Sequence, residues 1–379
     1  MSATPPPHPA PPSPLKRLEL VAKQLLALVG ALLLWRPRRR RDPASLGPGP
    51  WRILLVRPDN RVGEALLTTP LLETLAQLSP RPAVDLLVHQ KVARVLEGHP
   101  AAHRVVPFDR RRLWLGPWAP GLRALRHEGY DVVVDCANWT APSVTSALVS
   151  RLAAPRALLL GPALWPVRLL HGRAVAARED TRSEAAQRLH LLSPLPGVRP
   201  VLRLSFRAPR VRAPVAAFQA SLQGAPHPAP YAVVNPGGRL GWRRVDPEVF
   251  AAGARALAAR GVVPVVTWGP GEEALAAGVV AGAPGARLAP PTDVDELAAL
   301  MAGARLVLCN NTGPMHLAVA VGAPTLALFL HIELERWGHA FAPHRMLDLT
   351  PFAPAARAAE VAAAVEALLS APSRVTSTA

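Results

Sequence analysis

Lysine, cysteine and acidic residues are all scarce in this chain of 379 residues. It has 43 basic residues against 26 acidic ones, and Lys16, Lys23 and Lys91 are its only lysines. Arginine therefore carries most of the formal charge of +17, and its planar guanidinium binds phosphate and carboxylate in bidentate fashion. Cys136 and Cys309 both lie at ends of apolar runs, which favours buried thiols over a disulfide framework. The composition predicts an anionic partner and a reducing compartment.

Several kinds of functional site are also missing from the sequence. There is no cluster of cysteine and histidine and no pair of close carboxylates of the kind that binds a metal ion. There is also no nucleic-acid recognition motif, and charge alone is weak support for such a partner. We therefore expect no metal, no cofactor and no nucleic acid.

Long hydrophobic runs are absent as well. The apolar stretch from Leu25 to Trp35 is shorter than the roughly 20 residues that a membrane-spanning helix needs. Residues 1–14 are Pro-rich and predict a disordered tail. Residues 15–41 predict an amphipathic helix at a membrane interface, because an arginine cluster directly follows the apolar stretch. A helix packed on the first domain is the alternative, whereas a signal peptide lacks its small-residue cleavage site.

The length and the 50% hydrophobic content permit two separate cores. Over residues 51–207, a buried-strand pattern at 51–57 and apolar runs at 84–88, 105–108, 132–135 and 157–160 alternate with helical stretches, the first of them at 65–78. Such alternation predicts a parallel, doubly wound α/β sheet. After a Pro-rich joint, residues 228–352 predict a second domain of the same kind, and residues 354–370 predict a C-terminal helix.

Residues 305–324 combine a short apolar run, a polar turn and an alanine-rich stretch, which predicts strand, turn and helix. Asn310, Asn311 and Thr312 can cap the helix, and Pro314 suits its first turn. Free N–H groups and the positive end of the helix dipole then meet at the carboxyl edge of the sheet, where such folds bind anions. An ordinary strand-turn-helix without a ligand is the alternative.

Four sequence blocks resemble glycosyltransferase family 9, the ADP-heptose:lipopolysaccharide heptosyltransferases. The run N-N-T-G-P-M-H-L-A at 310–318 is similar to the family signature N-D-S-G-P-x-H-L-A, and further blocks match in order at 57–70, 235–244 and 291–304. The resemblance implies a GT-B architecture, in which two Rossmann-like domains face each other across a cleft. The first domain would bind the acceptor, and the second would bind the nucleotide-sugar donor.

The resemblance also implies the roles of individual residues. Glu64 stands where the family has an aspartate that acts as general base, although its charge could merely favour the amino end of a helix. Asn311 replaces a second family aspartate, at the donor sugar, and His316 either contacts the donor or makes a core hydrogen bond. Glu273 and Thr292 are expected near the nucleoside, with Glu272 and Glu273 as a helix cap being the alternative. The groups expected on the donor diphosphate are Gly237, Gly238, Arg239, Arg243, Thr312, Gly313 and His316, and those expected on an anionic acceptor are Arg61, Arg110, Arg111 and Arg112.

The function implied is inverting, metal-independent transfer of heptose or a related sugar. The donor would be a nucleoside-diphosphate-sugar such as ADP-heptose, and the acceptor a lipopolysaccharide-type or other anionic membrane glycolipid. A monomer would act in the cytoplasm, peripherally on the inner face of the bacterial inner membrane. The alternatives are a catalytically inactive nucleotide-sugar-binding relative, suggested by the two departures at Glu64 and Asn311, and a nucleotide-sugar epimerase.

Overall fold

The protein is represented by a computed structural model. It describes residues 43–140, 143–223 and 230–370, together with Val21, Ala22, Leu25 and Val29. The predicted tail at 1–14 lies outside the described residues, and so does most of the predicted interface helix at 15–41. Its described positions are helical and exposed. Within the described ranges, no helix has the length and apolar character needed to cross a bilayer.

The first domain is built on six parallel strands. They are β1 (Arg52–Arg57), β2 (Ala83–His89), β3 (Arg104–Phe108), β4 (Val132–Asp135), β5 (Leu158–Pro162) and β6 (Arg173–Val175). Their order is β3-β2-β1-β4-β5-β6, and Ile53 of β1 lies between Val84 of β2 and Val132 of β4. The central strands are nearly all apolar because helices cover both faces of the sheet.

The helices of this domain are α1 (Val62–Leu66), α2 (Thr69–Leu75), α3 (Ala93–Leu96), α4 (Pro120–Arg126), α5 (Val144–Ala153) and α6 (Glu184–His190). Short 3-10 segments cover Pro43–Ser45, Arg110–Trp118 and Val167–Leu169. The single helix predicted at 65–78 was wrong, because α1 and α2 are separate. Pro70 lies in the first turn of α2 and has no N–H with which to continue α1. The hydroxyls of Thr68 and Thr69 instead donate to the last carbonyls of α1.

The second domain repeats the same strand order. Its strands are β7 (Tyr231–Asn235), β8 (Val263–Val266), β9 (Arg287–Leu288), β10 (Val307–Asn310), β11 (Thr325–Phe329) and β12 (Arg345–Asp348), arranged β12-β11-β10-β7-β8-β9. Its helices are α7 (Ala213–Gln223), α8 (Pro247–Ala259), α9 (Glu273–Ala281), α10 (Val294–Ala302), α11 (Gly313–Ala320), α12 (Leu334–Trp337) and α13 (Pro354–Ser370), with a 3-10 turn at Gly241–Arg243. Helix α13 packs on α8.

The two domains meet at the carboxyl edges of their central strands. Helix α1, which follows β1, packs against α11, which follows β10. Arg336 of α12 reaches Glu184 of α6 at 3.3 Å, and Arg207 pairs with Asp295 of α10 at 2.6 Å. One buried apolar cluster also continues from the first sheet into the second. The predicted pair of doubly wound parallel sheets is confirmed, and their switch points, where such folds bind ligands, face each other.

Candidate active site

Glu64 lies in the first turn of α1, directly at the junction between the domains. The first helix was expected to begin at residue 65, just after Glu64, but it begins at Val62. Asp59 stabilises this turn by accepting hydrogen bonds from the backbone N–H and the guanidinium of Arg61. The Glu64 residue is only 4% exposed, so its carboxylate is almost wholly surrounded by protein.

Three arginines hold the Glu64 carboxylate. Nη2 of Arg188 lies 2.6 Å from Oε2, and Nη2 of Arg57 lies 2.7 Å from the same oxygen. Oε1 is held less closely, by Arg61 at 3.1 Å and by the amide of Asn138 at 3.1 Å. Burial by itself raises the pKa of Glu64, but the positive charges of Arg188, Arg57 and Arg61 outweigh it and hold that pKa well below its ordinary value. The group is therefore ionised, with Oε1 as its less constrained oxygen.

Sequence analysis missed Arg57, Asn138 and Arg188. Arg188 is fully buried, and it also donates to the Asn138 side chain at 2.7 Å and to the Glu64 carbonyl at 2.9 Å. Arg57 ends β1 after four apolar residues and Asn138 follows β4 at the same sheet edge, so parallel-sheet geometry could have found both. Arg188 lies mid-helix in α6, and nothing in its local sequence marks it.

The second half of the site is the loop at residues 236–240, after β7, which we call the glycine loop. Asn310, at the end of β10, is hydrogen-bonded to it. The Asn310 amide donates to the carbonyls of Pro236 at 2.8 Å and Gly237 at 3.2 Å, and its oxygen accepts from the Val245 N–H at 3.1 Å. A Cβ added to Gly238 would lie 3.1 Å from Cγ2 of Thr312. The structure thus brings the predicted glycine loop against the start of α11, where Thr312 and Gly313 lie.

Positive groups from both domains approach one another beside this loop. Arg239 is exposed, whereas Arg243 is partly buried with its guanidinium 4.4 Å from the centre of the Trp242 ring. Burial, followed by the positive charges of Arg239 and Arg61, lowers the pKa of Arg243. Nε of Arg243 and the amide nitrogen of Asn311 are buried and find no hydrogen-bond partner within the described part of the chain. Buried donors of this kind cost free energy until a ligand accepts from them.

His316 of the second domain contacts the first domain at α1. Its ring packs against Gly63, where an added Cβ would lie 2.7 Å from Cδ2 of the ring. Nδ1 of His316 lies 2.8 Å from Nε2 of His339, so the core hydrogen bond considered for this residue is present. Burial lowers the pKa of His316 to about 4, with Glu64 opposing the shift, and the ring is neutral at pH 7.

The residues expected at the nucleoside lie at the start of α9 and just before α10. Glu273 is exposed at the start of α9, and it is Glu272 that enters the glycine loop. The Glu272 carboxylate accepts hydrogen bonds from the N–H groups of Gly238 at 2.8 Å and Gly269 at 3.1 Å. Thr292 is partly buried, just before the residue that caps α10 with a capping box.

The four arginines proposed for the acceptor fall in two places. Arg61 lies at the domain junction, paired with Asp59 at 2.7 Å and with Glu64. Arg110, Arg111 and Arg112 begin the 3-10 segment after β3, and Arg111 and Arg112 are exposed. The side chain of Arg110 lies outside the described residues.

Two doubly wound sheets, with a carboxylate on one and a glycine loop flanked by arginines on the other, define an α/β enzyme of the GT-B class. The model of glycosyltransferase family 9 (heptosyltransferase) matches residues 121–350. The chain therefore belongs to glycosyltransferase family 9 and is a glycosyltransferase.

Known relatives agree with this assignment. The chain is 27% identical over 297 residues to lipopolysaccharide heptosyltransferase 1 of Pseudomonas aeruginosa, covering 73% of this chain and 78% of that protein. It is 26% identical to lipopolysaccharide heptosyltransferase 1 of Escherichia coli K12, covering 73% and 87%. The solved structure of E. coli heptosyltransferase WaaC with ADP superposes with a TM-score of 0.65 at 22% identity, over 84% of this chain and 99% of that one. At that identity the likeness supports the fold alone.

Proposed function

We propose that the chain is an inverting glycosyltransferase that moves a sugar from a nucleoside-diphosphate donor to an anionic glycolipid acceptor, without a metal ion in the step. The observation that carries the proposal is the convergence of positive groups beside Glu64. Arg243 of the second domain lies within electrostatic range of Arg239 and of Arg61 from the first domain, and the loop that carries Arg239 meets the start of α11, where a Cβ added to Gly238 would lie 3.1 Å from Cγ2 of Thr312. A diphosphate is the chemical group that such a cluster fits.

The donor diphosphate would lie between the glycine loop and α11. Its oxygens would accept from Arg239, from Arg243 and from the free N–H groups at Thr312 and Gly313. The unpaired amide of Asn311 would donate to a hydroxyl of the transferred sugar. Fixed positive groups that face a departing diphosphate stabilise the negative charge that develops in the transition state.

Transfer would proceed by attack of an acceptor hydroxyl on the anomeric carbon, opposite the diphosphate. The new carbon–oxygen bond forms as the bond to the diphosphate oxygen breaks, so the configuration inverts, and the hydroxyl proton passes to Glu64. Oε1 is the receiving oxygen, because Oε2 is tied to Arg188 and Arg57. Arg61 would have to swing away from Oε1, and its exposed side chain has room to do so. A carboxylate with a depressed pKa is a weak base, so it gains the proton only as the bond to carbon forms.

The relatives' names support heptose and lipopolysaccharide as the sugar and the acceptor class. The E. coli heptosyltransferase WaaC that shares the fold was solved with ADP, which favours ADP-heptose as donor. A lipid-anchored acceptor requires the enzyme to reach a membrane. We propose that it acts as a monomer at the inner face of the inner membrane. The exposed apolar residues Val21, Leu25 and Val29, spaced one helical turn apart, support an interfacial role for residues 15–41.

The decisive experiment measures ADP release by the full chain given ADP-heptose and a heptose-deficient lipopolysaccharide acceptor. Glu64→Gln should lower kcat by about 10²–10⁴-fold while ADP-heptose still raises the melting temperature. Glu248→Gln, an exposed glutamate on α8, serves as the matched control and should retain full turnover. ADP-, GDP- and UDP-sugars are compared in the same melting assay. Unchanged turnover by Glu64→Gln would remove this residue from the mechanism.

A catalytically inactive donor-binding protein is the second candidate. The tight pairing of Glu64 with three arginines favours it, because a carboxylate so held gives up its partners with difficulty. This candidate requires that the wild-type chain binds ADP-heptose without transferring the sugar to any acceptor tested. Conversion of the donor in the absence of acceptor would instead indicate an epimerase.

A further inference from the structure

Among the described side chains of the first domain, two tryptophans are exposed. Trp118 is 73% exposed at the end of the 3-10 segment after β3, and Trp165 is 54% exposed in the loop after β5. Leu169, in the same loop as Trp165, is 43% exposed. Single apolar residues are common on protein surfaces, but tryptophan is usually well covered. Two exposed indole rings on the same side of the domain would therefore indicate a binding surface.

One helix connects the two loops. Leu113 and Leu115 of the first loop pack on the cluster that contains Val149 and Ala153 of α5. Val167 and Leu170 of the second loop pack on Val144 and Ala147 of the same helix. Both loops also follow strands of one parallel sheet and so leave it at the same edge. Trp118 and Trp165 thus flank α5 at the carboxyl edge of the first domain.

The surrounding sequence is strongly positive, although Asp109 directly precedes it and accepts a hydrogen bond from the Arg111 N–H at 2.9 Å. Residues 110–127 and 136–178 together contain ten arginines and no aspartate or glutamate. Arg111 and Arg112 are exposed beside Trp118, and the guanidinium of Arg168 lies 5.5 Å from the centre of the Trp165 ring. A guanidinium stacked on an exposed indole presents an apolar ring and a positive charge to the same partner. We call the surface formed by Trp118, Trp165, Leu169, Arg111, Arg112 and Arg168 the tryptophan–arginine face.

We propose that the tryptophan–arginine face docks on an anionic lipid bilayer. Indole rings settle at the boundary between headgroups and acyl chains, where an apolar body and a polar N–H are both accommodated, and arginines bind lipid phosphates. A nucleic-acid partner would match the charge but not Leu169, an exposed aliphatic side chain with no base-recognition role. The inference deepens the proposed function and rests on it for its purpose, since the edge that faces the lipid also carries α1 and Glu64. An acceptor anchored in that bilayer would enter from this side.

Direct contact can be tested with a dye that reports an apolar environment. Leu169→Cys and Leu202→Cys are labelled separately with such a dye, because Leu169 and Leu202 are 43% and 44% exposed and both belong to the first domain. The two native cysteines are fully buried and do not compete for the label. On adding vesicles of phosphatidylcholine with phosphatidylglycerol, the emission at position 169 should shift to the blue and that at position 202 should not. Equal shifts, or no shift at 169, would overturn the proposal.

A second measurement uses the unlabelled full chain. Trp118→Ser combined with Trp165→Ser should weaken sedimentation with the same vesicles at least fivefold, whereas Leu202→Ser should sediment like wild type. The segment at 15–41 is present in every variant and cannot produce the difference. A dye response at 169 to single-stranded RNA but not to vesicles would refute lipid in favour of nucleic acid. Sugar transfer to a detergent-dispersed acceptor reports separately on the proposed function, and the double variant should retain it.

Discussion

Arg188 donates a hydrogen bond of 2.6 Å to Glu64, and the two residues are separated by 124 positions in the sequence. Arg188 has no exposed surface and Glu64 almost none. A buried ion pair gains little over apolar residues of the same shape, but removal of one partner leaves the other charge uncompensated. Loss of either Glu64 or Arg188 should therefore destabilise the protein. The junction between the domains is sensitive to single substitutions for this reason.

Arg188→Met should lower the free energy of unfolding by about 3–5 kcal/mol, because Glu64 loses its closest charge partner inside the protein. Urea denaturation monitored by circular dichroism measures the change. Arg255→Met is the matched control, since Arg255 pairs with Glu248 at 2.8 Å on the exposed surface of α8. The control should cost less than about 1 kcal/mol. If both variants lost the same free energy of unfolding, burial of the Arg188–Glu64 pair would not make it more important to stability than the exposed pair.

Gly63→Ala should disturb the contact between the domains. The added Cβ would lie 2.7 Å from the His316 ring, and the ring is fixed by its hydrogen bond to His339. We expect a loss of about 1–3 kcal/mol from overpacking.

Gly313→Ala is the matched control for this contact. Its Cβ would meet only ordinary neighbours, the nearest 3.7 Å away at the Gly63 nitrogen, so its stability should change by less than about 1 kcal/mol. Thermal unfolding compares the two variants. A Gly63→Ala protein as stable as wild type would mean that α1 and α11 are not packed as described.

Asn310→Asp should destabilise the glycine loop by about 2–3 kcal/mol. The aspartate would keep the acceptor for Val245 but would point a negative oxygen at the carbonyls of Pro236 and Gly237. Binding of ADP-heptose, measured by calorimetry, should weaken along with stability.

Asn311→Asp provides the comparison, because the amide nitrogen of Asn311 has no partner to lose among the described residues. A carboxylate there also lies beside the positive end of α11, so stability should stay within about 1 kcal/mol of wild type. If the two substitutions lower the stability equally, the hydrogen bonds that we assign to Asn310 do not hold the glycine loop.

Acidification should destabilise the fold through buried histidines. Burial lowers the pKa of His316 and of His344 to about 4, against about 6.5 in an unfolded chain. Their contribution to stability is therefore complete above pH 6.5 and is lost as the pH falls toward 4, because only the unfolded state takes up protons in that window. Each of these two histidines should lower the free energy of unfolding by about 2 kcal/mol between pH 7 and pH 5. Urea titrations at the two pH values should show a smaller loss for His344→Gln than for wild type, and an equal loss would contradict the assignment.

The sequence was sufficient for the architecture because the apolar runs are short, regularly spaced and separated by helical stretches. Short, continuous apolar runs of this kind are typical of parallel strands that helices cover on both faces. The structure confirms two such sheets. The break between α1 and α2 was missed because the apolar pattern continues through Pro70. The proline was the available signal, since a residue without an N–H favours the start of a helix over its middle.

The site was less accessible to sequence reasoning. The turn at residues 310–314 was recognisable as a helix start, and α11 does begin there at Gly313, although the Thr312 side chain makes no capping hydrogen bond. Arg188 could not be found in the same way, because its partner lies on another helix and only the folded chain brings them together. That Glu272 and not Glu273 contacts the glycine loop likewise could not be predicted, because this contact depends on the direction in which α9 leaves the loop, which is a property of packing and not of spacing.

The chain order of the site has a consequence during synthesis. At about 5–20 residues per second, a ribosome needs roughly 6 to 25 s to progress from Glu64 to Arg188, which stand 124 residues apart. Throughout that interval the nascent polypeptide has Arg57 and Arg61 beside the carboxylate but lacks Arg188, its closest partner. The amino-terminal domain thus acquires its final form only after α6 has left the exit tunnel, and a product truncated before that point lacks the buried guanidinium at its centre.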